Sequence, residues 1–381
     1  MNDQEAIRDA IRAFVTNEIN PYVDQWEKDH KWPAHEICRK AGALGYLGIN
    51  RPPEYGGMGL DLDAALIWAS ELGRIPAYGV SSALTMTSLM ATPALARYGS
   101  DQLRDEYLTP TVQGAYVACL GASEAGGGSD VANIKTTAVK KGGDYIINGS
   151  KMWITNAIQA DWCCLVCNTS AENAPHKNKS LIIVPLDIPG VHISPPISKM
   201  GGWSSDTAEI FFDNVRVPVS NRIGDEGMGF MYQMEQFSEE RLTIGARTAP
   251  QLQQCINATL QYVSERVAFG KPLLDNQWIQ FKLAEYQAEV VALTALTDYA
   301  TKAYVADARE SRTFVSSVKL KAGELARTIP DGCLQFWGGS GYVADSLINR
   351  LFRDTRLISI GGGATEIMLQ VISKEMRKGV T

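Results

Sequence analysis

Tyr145-Ile146-Ile147-Asn148-Gly149-Ser150-Lys151-Met152-Trp153-Ile154-Thr155 is the stretch on which the fold turns. It holds two β-rich runs joined by Asn-Gly, the strongest short-range signal for a hairpin. Trp162–Cys167, Ser180–Val184 and Ala208–Phe212 repeat the pattern of short strands bounded by turn residues. No helix-length periodic segment lies between them. The spacing predicts a middle antiparallel β domain over residues 116–225.

The period changes on both sides of this region. Toward the N-terminus, Ile7, Ile11, Phe14 and Val15 recur at i, i+4, i+7 and i+8, one face of a helix. Pro52-Pro53 and Gly56-Gly57 mark a loop before a second helical run, Leu62–Leu72. Toward the C-terminus only Pro250, Pro272 and Pro330 interrupt residues 226–381, and long apolar periodicity returns. The expected fold class is α+β. An N-terminal helical domain (1–115) precedes the β domain (116–225), and a C-terminal helix bundle (226–381) follows it.

Composition narrows the chemistry. Among 381 residues, 36 Lys+Arg against 42 Asp+Glu give a net charge of −6. With 45% apolar and 20% charged residues, disorder, collagen and coiled coil are set aside. The acidic balance argues against a nucleic-acid or anionic-membrane partner. The four histidines (His30, His35, His176, His192) are scattered, which disfavours a His-ligated metal or a Ser-His-Asp triad. Seven cysteines form no visible disulfide framework, so a reducing compartment is expected. Cys163-Cys164-Leu-Val-Cys167 lacks a second ligand pair at metal spacing and reads as a buried strand. No apolar run nears the ~18 residues of a spanning helix. The acidic start, Met1-Asn-Asp-Gln-Glu, has neither a signal nor a transit pattern, and the expectation is a cytoplasmic protein.

Four segments bear chemistry. Gly121-Ala-Ser123-Glu124-Ala-Gly-Gly-Gly128-Ser129-Asp130 follows the strand-like Tyr116–Leu120. Its glycines suit either close approach of backbone N–H groups to a polyanion or a mobile surface loop. Ser123 lacks the nucleophile-elbow spacing. Gly339-Ser-Gly341-Tyr-Val-Ala344 has the form of a dinucleotide fingerprint but follows a helical run, Thr328–Trp337, with no βαβ unit around it. Gly361-Gly362-Gly363-Ala-Thr365-Glu366 precedes an apolar run; a helix beginning near Thr365 would leave either an anion site or a tight inter-helix turn. In Phe230–Ile244, Phe230, Met234, Phe237 and Ile244 form one helical face, with Glu239 opposite it in solvent. Arg241 falls inside that face and Glu240 on its flank. Such a pair is either a structural ion pair or a catalytic carboxylate with its neighbour.

Together these segments resemble the acyl-CoA dehydrogenase family along essentially the whole chain. Ala122-Ser123-Glu124-Ala-Gly-Gly-Gly128-Ser129-Asp130 resembles its first signature, with Ala122 where an aliphatic residue is usual. Lys151-Met-Trp153-Ile154-Thr155-Asn156 follows at the family spacing. Glu265-Arg266-x-x-Phe269-Gly270-Lys271-Pro272 matches the bundle motif. Gln335-x-x-Gly338-Gly339-Ser-Gly341-Tyr342 with Arg353-Asp354 matches the second signature.

The resemblance implies a non-covalent FAD and removal of an α-proton and a β-hydride from an acyl-CoA thioester, giving the 2-enoyl-CoA. By this likeness Leu120, Ser123, Ser129, Trp153 and Thr155 embrace the flavin ring, with Thr365 and Glu366 as further cofactor contacts. Arg266, Phe269, Gln277, Gln335, Gly338 and Gly339 would hold the FAD of a neighbouring subunit, implying a homotetramer. Ser129 and Arg241 would contact the carrier arm of CoA, and Gly362 and Gly363 the substrate. An electron-transfer flavoprotein is the implied electron acceptor.

One departure matters. The catalytic Glu of most members stands in a Tyr-Glu-Gly-Thr stretch that aligns with Gly361-Gly362-Gly363-Ala364, where there is no carboxylate. Isovaleryl-CoA and long-chain acyl-CoA dehydrogenases place the base in the preceding helix, directly before an Arg; here that residue is Glu240. A desolvated carboxylate is suited to take a weakly acidic carbon-bound proton. The charge that develops on the thioester oxygen requires preorganised donors, which the Gly362 N–H can supply without a side chain. Small residues at 361–362 lead to the expectation of a branched or bulky acyl chain, of the isovaleryl or citronellyl kind. The same scaffold is compatible with an enoyl-CoA reductase or an acyl-CoA oxidase. DNA-associated relatives carry a longer basic C-terminal region; with this sequence ending at Thr381 and acidic in total, a DNA-associated role is a remote expectation.

Overall fold

A computed structural model describes residues 3–378. Eight helices come first: α1 (Asp3–Phe14), α2 (Val23–Asp29), α3 (Ala34–Ala43), α4 (Leu62–Leu72), α5 (Tyr78–Thr85), α6 (Pro93–Tyr98), α7 (Asp101–Leu103) and α8 (Thr109–Val112). The α1 stripe is buried as its period predicts, with Ile11, Phe14 and Val15 at 5% exposure or less. They pack with Trp32, Tyr46 and Trp68 into one core. Asp61 caps α4 by accepting from the Ala64 N–H at 2.9 Å, and Leu62–Leu72 is the helix its periodicity predicts. Glu71, fully buried on α4, takes Arg12 from α1 at 3.0 Å and Arg74 at 2.8 Å, so the two helices are clamped by charge as well as by packing.

The middle strands are β1 (Ala118–Gly121), β2 (Thr137–Lys141), β3 (Asp144–Thr155), β4 (Trp162–Asn168), β5 (Lys179–Pro185), β6 (Val191–Ile193), β7 (Thr207–Pro218) and β8 (Arg222–Ile223). They form one sheet in the order β6-β7-β3-β2-β4-β5-β8, with β1 also on β4. The expected Asn148-Gly149 hairpin is not there. β3 runs unbroken through both residues, and the chain reverses instead at Gly142-Gly143, between β2 and β3. Gly149 serves a bulge: the register against β7 slips between Ile147 and Gly149, and φ there is +141°. A Cβ at Gly149 would stand 2.7 Å from the Thr136 Cα, so close approach of two strands, not a turn, demands the glycine. Nor is the sheet purely antiparallel, because β1 lies parallel to β4. Both faces of β4 are buried, Cys163, Leu165 and Cys167 on one side and Trp162, Cys164 and Val166 on the other. That explains its uninterrupted apolar sequence.

From Gly229 the chain is helical: α9 (Gly229–Glu265), α10 (Gln277–Val305), α11 (Ser311–Trp337), α12 (Leu347–Thr355) and α13 (Thr365–Lys378). A small hairpin, β9 (Val267–Ala268) with β10 (Lys271–Pro272), joins α9 to α10. Arg353 and Asp354 bind all three regions together. Asp354 accepts from the backbone N–H of Tyr78 at 3.0 Å and of Gly202 at 2.7 Å. Arg353 donates to Glu27 at 3.0 Å and lies 3.7 Å above the Trp203 ring.

Candidate active site

Glu240 lies on the buried side of α9, 5% exposed. Among the described residues its one side-chain hydrogen bond comes from Gln236, a turn earlier, whose Nε2 donates to Oε1 at 3.0 Å. Gln236 also donates to the Met90 carbonyl, which fixes the amide between two elements. Burial pushes the Glu240 carboxyl up to about 7, against the Gln236 hydrogen bond and the Arg241 charge. A structural pair would bring the Glu240 and Arg241 side chains together. Among the described residues Glu240 forms no ion pair, and the buried Nε of Arg241 has no partner. Gln236 was not singled out from the sequence, although its position four residues before Glu240 was the available signal.

Glu239 does not face solvent as its helical projection predicts. It pairs with Arg97 of α6 and accepts from Tyr304 of α10 at 3.3 Å, leaving its side chain 13% exposed. The reason is tertiary: α6 and α10 cover the side of α9 that an isolated helix would expose. Phe230, Met234 and Phe237 are only half-buried, whereas Ile244 is in the bundle core.

The 361–363 turn precedes α13, which begins at Thr365. Gly362 (φ +64°) and Gly363 (φ +103°) occupy backbone conformations that disfavour side chains. A Cβ at Gly362 would meet Ile244 Cδ1 at 2.6 Å. A side chain at 362 would therefore be strained at this φ and would have to displace the Ile244 terminal methyl. Among the described residues the N–H groups of Gly362 and Gly363 meet no acceptor.

The Ser123 loop and the end of β3 come together. The Met152 N–H donates to the Ser123 carbonyl at 3.0 Å, and Glu124 and Gly127 exchange backbone hydrogen bonds that close the loop. Lys151, fully buried, donates to Glu124 at 2.8 Å. Burial would raise the Glu124 carboxyl, but the Lys151 charge and hydrogen bonds from Lys151, Thr136 and the Lys135 backbone outweigh it and bring it to about 2. Both residues stand inside the quoted motifs, yet their pairing across 27 positions left no local signal. Asn156, also buried, donates to Ala83, Thr87 and Ala118 and so anchors the end of β3.

This frame presents Trp153 (φ +60°) 52% exposed. The Ser123 and Thr155 hydroxyls have no hydrogen-bond partner among the described residues, Leu120 is buried, and Ser129 is exposed. At Gly126 and Gly128 nothing stands within 4 Å of where a Cβ would be. An open aromatic face, two free hydroxyls and an uncrowded glycine loop fit a planar, hydrogen-bonding ring with an anionic tail.

Arg266, Phe269, Gln277, Gln335, Gly338 and Gly339 gather at the other end of the bundle. There Tyr262 stacks on Trp337 at 4.2 Å and donates to its carbonyl. Phe269 is fully exposed on the β9–β10 turn, and the surroundings of Gly338 and Gly339 are open. At 1.5 Å per residue, Glu240 stands roughly 37 Å along α9 from Glu265. Thr365 and Glu366 lie at the start of α13, where the Thr365 hydroxyl donates to the Ser359 carbonyl.

The chain matches three protein families in succession: the acyl-CoA dehydrogenase N-terminal domain over residues 1–115, the middle domain over 119–215 and the C-terminal domain over 227–377. It is 34% identical to the probable acyl-CoA dehydrogenase YngJ of Bacillus subtilis, covering 99% of this chain and 98% of that one. It is 33% identical to the mitochondrial long-chain specific acyl-CoA dehydrogenase of Sus scrofa, covering 98% and 86%. The crystal structure of a probable acyl-CoA dehydrogenase from Mycobacterium abscessus superposes with a TM-score of 0.94 at 34% identity, covering 99% of each chain. With these likenesses running the full length and the site geometry described above, the chain belongs to the acyl-CoA dehydrogenase family, whose members are FAD-dependent oxidoreductases.

Proposed function

We propose that the protein oxidises a branched or bulky acyl-CoA at its α and β carbons, with Glu240 as the base. The observation that carries this reading is a buried carboxylate, forming no ion pair among the described residues and poised near neutrality, in a chain whose 361–363 turn holds only glycines, with Gly362 and Gly363 at positive φ. Bound FAD supplies the hydride acceptor. Glu240 takes the α-proton; its pKa of about 7 strengthens it as a base while leaving much of it ionised at neutral pH. The free N–H of Gly362 faces no competing acceptor and can donate to the thioester oxygen as negative charge develops there. Arg241, without an ion-pair partner among the described residues, and Ser129, exposed on its loop, are available to the CoA arm.

The acyl-chain preference rests on the 361–363 turn. Ile244 occupies the space a side chain at 362 would take, but beside Gly361 nothing comes closer than Leu357 at 3.7 Å. The extra room is therefore on the Gly361 side. Phe269, exposed on a surface tens of ångströms from Glu240, fits a role at the cofactor of a neighbouring subunit in a homotetramer. An electron-transfer flavoprotein is the proposed acceptor. The seven free, buried cysteines suit a reducing compartment such as the cytoplasm. Among the described residues no helix is long and apolar enough to cross a membrane.

A panel of acyl-CoAs mixed anaerobically with the FAD-loaded protein tests this directly. β-Methyl-branched chains are expected to bleach the flavin absorbance at least tenfold faster than straight chains of equal length. Equal or faster bleaching by straight chains defeats the substrate assignment, and no bleaching by any acyl-CoA defeats the oxidation itself.

A further inference from the structure

The turn that carries the Gly362 N–H has little backbone support of its own. Gly361 donates to Leu357 at 2.8 Å, but the next two N–H groups donate to nothing among the described residues. Besides the Thr365 hydroxyl on the Ser359 carbonyl, what closes the turn is a side chain from another element. Lys319 of α11, 1% exposed, donates to the Ile358 carbonyl at 2.6 Å and the Gly363 carbonyl at 2.8 Å. These two carbonyls stand on either side of residues 359–362. Its Cε also lies 3.8 Å from where a Gly362 Cβ would be.

We propose that Lys319 is a positioning residue that sets the Gly362 N–H to polarise the substrate thioester. This deepens the function proposed above and rests on it. An ammonium is apt here because it has only donors, carried on a long stem that packs in the core, and it ties two carbonyls with charge-assisted hydrogen bonds. Burial first, and then the facing Arg241 charge, lower its pKa to about 8, so it remains largely protonated at neutral pH. Its role is indirect, since its own donors are turned to the backbone.

The role separates from plain structural support by using ligands that differ at one atom. Calorimetry on the FAD-loaded protein would compare a 3-thia-acyl-CoA thioester with the matching S-alkyl-CoA thioether, which lacks the carbonyl. Lys319→Met is expected to weaken the thioester about tenfold and the thioether by less than twofold. Washout of α-deuterium from the 3-thia-acyl-CoA, whose β-position is sulfur and carries no hydride, should slow about tenfold. Lys319→Arg should recover most of both losses. Equal effects on the two ligands, or none on either, would overturn the proposal. If Lys319→Met does not hold FAD, the same comparison on Lys319→Gln decides, with a smaller loss confined to the thioester expected. Failure of the wild-type protein to exchange α-deuterium would instead count against the function on which the proposal rests.

Discussion

A carboxylate removed from water without a cation to meet it is held at a cost, and Glu240 carries that cost in a way that can be measured. Its pKa is near 4.5 in the unfolded chain and about 7 in the folded one. The protonated group is neutral in both states, so full stability is present below pH 4.5 and is lost as pH rises through 7. Glu240→Gln cannot ionise. In urea unfolding it should match the parent within about 1 kcal/mol near pH 5 and exceed it by about 3 kcal/mol at pH 8. A gap that stays constant with pH would mean that Glu240 is not buried in its charged form. Glu124 behaves in the opposite sense: its pKa is depressed, so its contribution is present above the unfolded value and disappears only as pH falls toward 2.

At the scale of the elements, what was legible in the sequence was whatever local periodicity determines. Leu62–Leu72 and the α1 stripe are helices because their apolar residues recur at helical spacing, and β4 is apolar because both its faces are covered. Three features lay beyond local reading, each for a tertiary reason. Asn-Gly, whose dipeptide preference favours a turn, sits inside β3 because Thr136 crosses directly over Gly149. Glu239 is covered because α6 and α10 close over α9. Lys151 finds Glu124 only once β3 has paired and the loop has folded back. At the site, candidate residues such as Ser123, Trp153, Glu240 and Gly362 could be named from the sequence, whereas Gln236, which bonds Glu240, and Lys319, which ties the carbonyls on either side of the Gly362 turn, could not. Gly149→Val is predicted to destabilise the protein by roughly 3 kcal/mol or more, since it combines a strained φ with a collision against backbone. A loss below 1 kcal/mol by urea unfolding would mean that the bulge is not required.

The working unit spans the whole molecule. Glu240 projects from the C-terminal bundle, Met90 behind it belongs to the N-terminal helices, and Trp153 with the Ser123 loop belongs to the sheet. Arg353 and Asp354 hold these three regions in register through Glu27, Tyr78 and Gly202. In the proposed function each region supplies one part: a base, its orienting contact and a cofactor surface. The central claim is that a single buried carboxylate removes the α-proton in this assembly. The most direct measurement is anaerobic reduction of FAD-loaded Glu240→Gln by the acyl-CoA that the wild-type protein oxidises fastest, with FAD content and acyl-CoA affinity determined on the same sample. The variant should keep its FAD, bind acyl-CoA within about threefold of wild type and reduce at least a thousandfold more slowly, within the range that removal of a positioned base produces. Reduction within tenfold of the wild-type rate would contradict the assignment of Glu240 as the base.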